Sequence, residues 1–290
     1  MDLARTANAR AIRHSVSVAG RKVVYFEYPS TKGKPQVLVM IHGYRGNHHG
    51  LEAIAAGLSD FRVLIPDLPG FGESDSLPSS HTIENYSSWL GDFLRVIGLG
   101  DKANLMGHSF GTLVVGHFAA SNPVCSVSLV NPVSTPALKG PRAALTAVTK
   151  IYYLMASIAP KALGQWLLRS KIAVVIMSVV MAKTRDKALR RWIHRQHLDN
   201  FSDFESVAVA VEGYNASIST DLSIFAPRIS APVLVVAAEF DDITDIASQR
   251  LVSRTYPRAI LKEIPGVGHL VHYEAPDQAA AFIKSFLESL

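Results

Sequence analysis

The chain has a single cysteine, Cys125, in 290 residues. No internal disulfide framework can form, and a cysteine-rich zinc site is excluded. Charge is scarce too: 18% of residues are charged against 48% hydrophobic. A sizeable core is therefore available, and global disorder is ruled out. Long apolar runs are missing. Ile172–Ala182, between Lys171 and Lys183, extends for 11 residues, well short of the roughly 20 needed to span a bilayer. The first residues, MDLARTANARAIRHSV, contain no apolar h-region, so no secretory signal is read. At about 150 residues per domain the length admits one large α/β unit or two domains. The expectation is a soluble, cytoplasmic protein.

The net charge of +5 is unevenly placed. Residues 134–200 hold 12 of the 29 Lys and Arg but only Asp186 and Asp199 of the 24 acidic residues, a net +10, which leaves −5 elsewhere. The basicity belongs to one segment. No zinc-finger, RRM or basic-zipper pattern accompanies it, so nucleic acid is not an expected partner.

Two alternating runs, Ile12–Val18 and Val23–Tyr28, flank Ala-Gly-Arg and predict a hairpin. Gln36–Ile41 (QVLVMI) is a continuous apolar run, the pattern of a strand buried on both faces. Further strands are predicted at Arg62–Pro66, Ala103–Met106, Val124–Val130, Val233–Ala237 and Ala259–Glu263. Helical spacing separates them at Leu51–Leu58, at residues 82–97, after Gly111, and at Asp277–Leu287. Strand–helix alternation of this kind predicts a mostly parallel sheet flanked by helices. It stops between about Ser134 and Leu222, where helical patterns follow one another. The reading is an α/β core from residues 1–133 and 222–290, with a helical insertion over 134–221 after the sixth strand.

Gly107-His-Ser-Phe-Gly111 follows a buried strand and opens a helix, the context a nucleophile elbow requires. A serine on so sharp a turn sits in strained backbone. The glycines two before and two after let the chain pack around it, and the hydroxyl stands near free N–H groups of a helix N-terminus. Such a serine needs a base, itself oriented by a carboxylate. In this architecture the acid follows a late strand and the histidine follows the last one. Ala238-Glu-Phe-Asp241-Asp242 and Pro265-Gly-Val-Gly-His269 stand at those places. Asp242 and Asp245 compete with Asp241 for the first role, and His272 with His269 for the second.

These motifs, with His42-Gly43, Asp67-Leu-Pro-Gly-Phe-Gly-Glu-Ser74 and Glu274-Ala-Pro276, resemble the α/β-hydrolase superfamily, near its carboxylesterases, lipases and C–C hydrolases. The resemblance implies Ser109 as nucleophile, Asp241 as acid and His269 as base. It implies oxyanion donors in the N–H groups of Tyr44 and Phe110, with no metal or organic cofactor. The sequence departs from the family pattern at Arg45, Ala238 and Thr112, where proline, glycine and glycine are frequent.

Other histidines read as structural. His42 braces the loop presenting Tyr44, and His48-His49, lacking a carboxylate or cysteine partner at ligand spacing, reads as an exposed polar loop. Asp67 anchors a turn, and Cys125 is read as a small buried hydrophobe. The resemblance makes the insertion a lid over Ser109, with His108, Tyr152, Tyr153, Met155, Trp166 and Met177 as pocket residues. Ile172–Ala182 is apolar all round, so as a helix it must be buried on every side or enter something non-aqueous. A hydrophobic or lipid-like ester is the expected substrate. Peripheral contact of the basic insertion with anionic membrane is the expected association. C–C hydrolysis, acyl transfer, a cofactor-free lyase reaction or a small-molecule receptor would use the same fold.

Overall fold

The apolar runs come together as one sheet. In the computed structural model, which describes residues 10–136 and 143–290, the strands are β1 (Ile12–Val18), β2 (Arg21–Tyr28), β3 (Val37–Ile41), β4 (Arg62–Pro66), β5 (Asn104–His108), β6 (Ser126–Val130), β7 (Val233–Ala238) and β8 (Ala259–Ile264). Their order is β1-β2-β4-β3-β5-β6-β7-β8. β2 pairs antiparallel with β1 and with β4, and the other pairings are parallel.

A parallel sheet needs cover on both faces, and β3 meets that need residue by residue. Leu38 and Met40 enter one core with Ile54 and Ile283, while Val39 and Ile41 enter the other with Phe93 and Leu113. The helices outside the β6–β7 connection are α1 (Glu52–Ala56), α2 (Ile83–Val96), α3 (Phe110–Ala119), α9 (Ile246–Ser253), α10 (Val271–Glu274) and α11 (Pro276–Glu288). Thr82 starts α2 by accepting the Asn85 N–H at 3.2 Å, the cap expected of a threonine there. Its buried face is Ile83, Tyr86, Leu90, Phe93 and Leu94.

Between β6 and β7 run α4 (Ala143–Ile158), α5 (Lys161–Leu168), α6 (Lys171–Met181), α7 (Lys187–Asn200) and α8 (Val207–Ser219). Among the described residues this stretch has no strand, only the isolated Phe71–Phe204 bridge. Lys139 and Arg142 lie outside the described residues.

Two expectations are corrected. The helix read at Leu51–Leu58 is shorter, because a 3-10 turn occupies His48–Leu51 and the helix closes at Gly57. Cys125 is exposed: β6 starts one residue later, so Cys125 sits on the loop into the strand and its thiol faces the Asp101 carbonyl at 3.7 Å. Of the two environments open to the apolar run of α6, burial on every side is the one the structure does not show. Val174 and Ser178 are buried, but Ile172 and Ile176 stand in solvent.

Candidate active site

Ser109 joins β5 to α3 with φ 51° and ψ −117°, a conformation that costs a non-glycine residue about 1–3 kcal/mol. The flanking glycines make the turn sterically feasible. A Cβ on Gly107 would lie 2.5 Å from the Gly111 carbonyl oxygen, and one on Gly111 would overlap the Ile41 carbonyl. The Ser109 N–H donates to the Val130 carbonyl at 3.0 Å, tying the elbow to the neighbouring strand.

Ser109 Oγ lies 2.7 Å from His269 Nε2, and His269 Nδ1 lies 2.9 Å from Asp241 Oδ2 and 3.0 Å from Oδ1. Nδ1–H therefore donates to the carboxylate, leaving Nε2 free to accept the serine proton. Asp241 also accepts from Asn131 Nδ2 at 2.9 Å, from the Ile243 N–H at 2.9 Å and from the Thr244 N–H at 3.2 Å. Burial alone would raise this carboxyl. The adjacent His269 ring and the hydrogen bonds from His269, Asn131 and Ile243 outweigh it and hold Asp241 below the usual carboxylate range. Its rivals are occupied elsewhere: Asp242 pairs with Lys183, and Asp245 caps α9 through the Ser248 N–H at 2.9 Å.

Two further histidines lie beside His269. His108 donates from Nε2 to the His269 carbonyl at 3.3 Å, and its ring is 4.0 Å from that of His272. Burial, reinforced by His269, pushes the His108 pKa down to about 3. Burial and then His108 push His272 well below its ordinary value. Both rings stay neutral near pH 7, so neither sets a cation against an imidazolium forming at His269.

Phe110 is the first residue of α3, so its N–H has no intrahelical partner. Tyr44 follows β3, and the loop that carries it is held by His42. That ring accepts the Leu68 N–H on Nε2 at 2.9 Å and donates from Nδ1 to the Gly43 carbonyl at 2.9 Å. Asp67 receives the His48 N–H, the His48 ring and the Glu73 N–H, anchoring the glycine-rich turn.

Arg45, with φ 59°, reaches out of this loop into the helical segment. It donates to the Leu168 carbonyl at 2.7 Å, to the Phe201 carbonyl at 2.9 Å and to the Tyr153 hydroxyl at 3.1 Å. The guanidinium is buried and lies over the Phe201 and Phe204 rings. The sequence marks Arg45 only as a departure from the family pattern. Asn131 carried no sequence signal at all.

Ser109 and His269 open onto a cavity of about 270 Å³ that Tyr44, Phe110, His108 and Met177 also line. Its walls are mostly apolar, with Leu51, Val133, Val180, Ile218 and Leu270 among them. Three expected pocket residues lie elsewhere. Tyr152 is half-buried and donates to the Leu167 carbonyl, while Met155 and Trp166 face solvent at 58% and 69% exposure. Tyr153 does line the cavity, and Thr146 and Thr149 complete the inner side of α4. Consecutive helical residues point about 100° apart, and the sequence alone left that rotation open.

The His48-His49 reading is also corrected. Glu52 stands at ligand spacing, with its carboxylate and both rings offering atoms within 4.8 Å of one another. His48 is buried rather than exposed. The rings are already engaged, His48 with Asp67 and His49 with Glu52, each at 2.9 Å.

A family model described as alpha/beta hydrolase fold matches residues 36–276. The chain is 25% identical over 288 residues to Lipase 1 of Psychrobacter immobilis, covering 95% of this chain and 83% of that lipase. It is 26% identical over 262 residues to the pimeloyl-[acyl-carrier protein] methyl ester esterase of Aeromonas hydrophila, covering 88% and 96% respectively. In three dimensions it is similar to the enol-lactonase of Burkholderia xenovorans, with a TM-score of 0.78 at 20% identity over 95% of this chain and 100% of the other, a likeness of fold.

Proposed function

The chain belongs to the α/β-hydrolase fold family, and we propose that it is a serine esterase acting on carboxylic esters with a hydrophobic, long acyl group. The coarser reading, an ester hydrolase of α/β-hydrolase type, follows from the family and from the lipase and esterase relatives. One observation carries the finer one: the Ser109–His269–Asp241 hydrogen-bonded line opens directly into an apolar cavity.

In this reading His269 Nε2 takes the Ser109 proton as Oγ attacks the acyl carbon. The carbonyl oxygen gains negative charge and is stabilised by the N–H groups of Tyr44 and Phe110. The imidazolium passes its proton to the departing alcohol, leaving an acyl-serine. Water, deprotonated by His269, then releases the acid and restores the hydroxyl. Asp241 holds the ring in the required tautomer and stabilises its cation. The five helices between β6 and β7 act as the cap, with α4, α6, α7 and α8 walling the acyl site.

The test is a chromogenic ester panel from acetyl to palmitoyl, run on the wild type and Ser109→Ala. Turnover should rise with chain length, and the variant should lose roughly 10⁵–10⁶ in kcat. Activity confined to short esters would remove the long-acyl assignment. A folded protein that cleaves no ester would redirect the reaction to C–C hydrolysis, acyl transfer or a lyase step.

A further inference from the structure

α4, α5 and α6 turn apolar side chains outward at helical spacing. On α4, Val148, Ile151, Met155 and Ile158 make one exposed stripe; on α5, Leu163 and Trp166; on α6, Ile172, Val175, Ile176 and Val179. Ile158, Ile172 and Trp166 are 76%, 74% and 69% exposed. Eleven of the 19 large apolar side chains exposed among the described residues lie between Val148 and Val179. On a helix that meets only water, these positions would be polar. α4 packs on α5, and only Arg169 and Ser170 separate α5 from α6, so the three stripes follow one another with a two-residue break at most between the last two.

The charge these helices carry is of one sign. No Asp or Glu occurs between Asp101 and Asp186. Lys150, Lys161 and Lys171 are exposed on the same three helices. A second copy of the chain would bring basic surface against basic surface, which disfavours self-association. Apolar stripes on helices whose own charges are all cationic suit the headgroup boundary of an anionic bilayer.

Lys161–Met181 has the length and hydropathy of a membrane span, but extended backbone at Ser170 divides it into helices of 8 and 11 residues. At 1.5 Å per residue these are about 12 and 17 Å long, against a hydrocarbon core of about 30 Å. They can lie in an interface but cannot cross it. We propose that the outer face of α4, α5 and α6 is a docking surface for anionic lipid bilayers. It places the membrane against the helices whose inner sides, through Tyr153 and Met177, line the cavity. Docking depends on this surface and not on the chemistry at Ser109.

The test uses the full chain with phosphatidylcholine vesicles, with and without phosphatidylglycerol, in flotation and tryptophan-emission assays. Of the three tryptophans, Trp89 is buried, Trp192 half-buried and Trp166 exposed. Binding should require the anionic lipid and weaken with salt. It should blue-shift emission, and Trp166→Phe should abolish that shift. Lys161→Ala with Lys171→Ala should weaken binding roughly 25-fold, about fivefold per lysine. Ile172→Ser with Ile176→Ser should release the protein from vesicles while hydrolysis of a short soluble ester and the circular dichroism spectrum stay unchanged. The proposal is overturned by absence of flotation at low salt, by binding that these variants do not alter, or by a dimer in buffer that the isoleucine variants dissolve.

Discussion

Asn131 stands just after β6 with φ 48°, a left-handed conformation that asparagine tolerates better than most residues. Its amide donates both to Asp241 Oδ2 and, at 3.3 Å, to the Gly268 carbonyl beside His269. It thus joins Asp241 to the loop that carries His269. Asn131→Asp keeps the shape but sets a second carboxylate against a buried one. Like charges so close raise each other's pKa. The acid limb of the kcat/KM profile should therefore move to higher pH than in the wild type. An unmoved limb would remove Asn131 from the electrostatics of the site.

At the scale of elements, Arg45 is the link between the sheet and the helices above it. It satisfies the last carbonyl of α5 and the C-cap carbonyl of α7, positions where a cation also meets the negative end of each helix dipole. Arg45→Met leaves these carbonyls and the Tyr153 hydroxyl without their donor. Each such loss costs about 1–3 kcal/mol, so the thermal midpoint should fall by roughly 5–15 °C. Because Tyr44 is the preceding residue, kcat on a short soluble ester should also fall, by roughly 10- to 100-fold. Arg45→Lys should rescue neither, since one ammonium cannot match three acceptors spread around a planar fork. Differential scanning calorimetry and ester kinetics on the two variants check both statements. Glu274 makes a second such link. Its carboxylate accepts the N–H groups of Lys183 and Thr184, just past α6, and that of Gly268 in the His269 loop.

For the whole molecule, buried neutral histidines set the response to acid. Burial holds His108 at about 3 and His197 at about 4, whereas an unfolded chain protonates histidine near 6.5. Between pH 6.5 and about 4 the unfolded state therefore binds more protons than the folded one. Their stabilisation is fully present above that window and is lost as the pH falls, by about 1.4 kcal/mol per pH unit for each histidine. Asp241, lowered in the folded state, acts in the same direction at still lower pH. Urea unfolding should show a midpoint that drops steadily from pH 7 to pH 4.5, and His197→Gln should flatten that slope. An equal slope in the variant would place the acid sensitivity elsewhere.

Local chemistry was enough for the hairpin, the buried strands, the strained Ser109 turn and the order of the motifs. A period of two, a continuous apolar run or a Gly-x-Ser-x-Gly turn is written in consecutive residues and acts through near-neighbour sterics. What the tertiary structure decided were choices among equivalent local options. Asp241 rather than Asp242 or Asp245 meets His269 because a backbone turn and Asn131, 110 residues earlier, hold it there. Tyr153 rather than Tyr152 faces the cavity because of how α4 is rotated against Arg45 and α8, and the same rotation sends Met155 outward. His48 is buried by Phe26 and Asp67, and Cys125 is left in solvent by where β6 begins. Burial and pairing at these positions come from partners distant in sequence, and no window along the chain contains both members of such a contact.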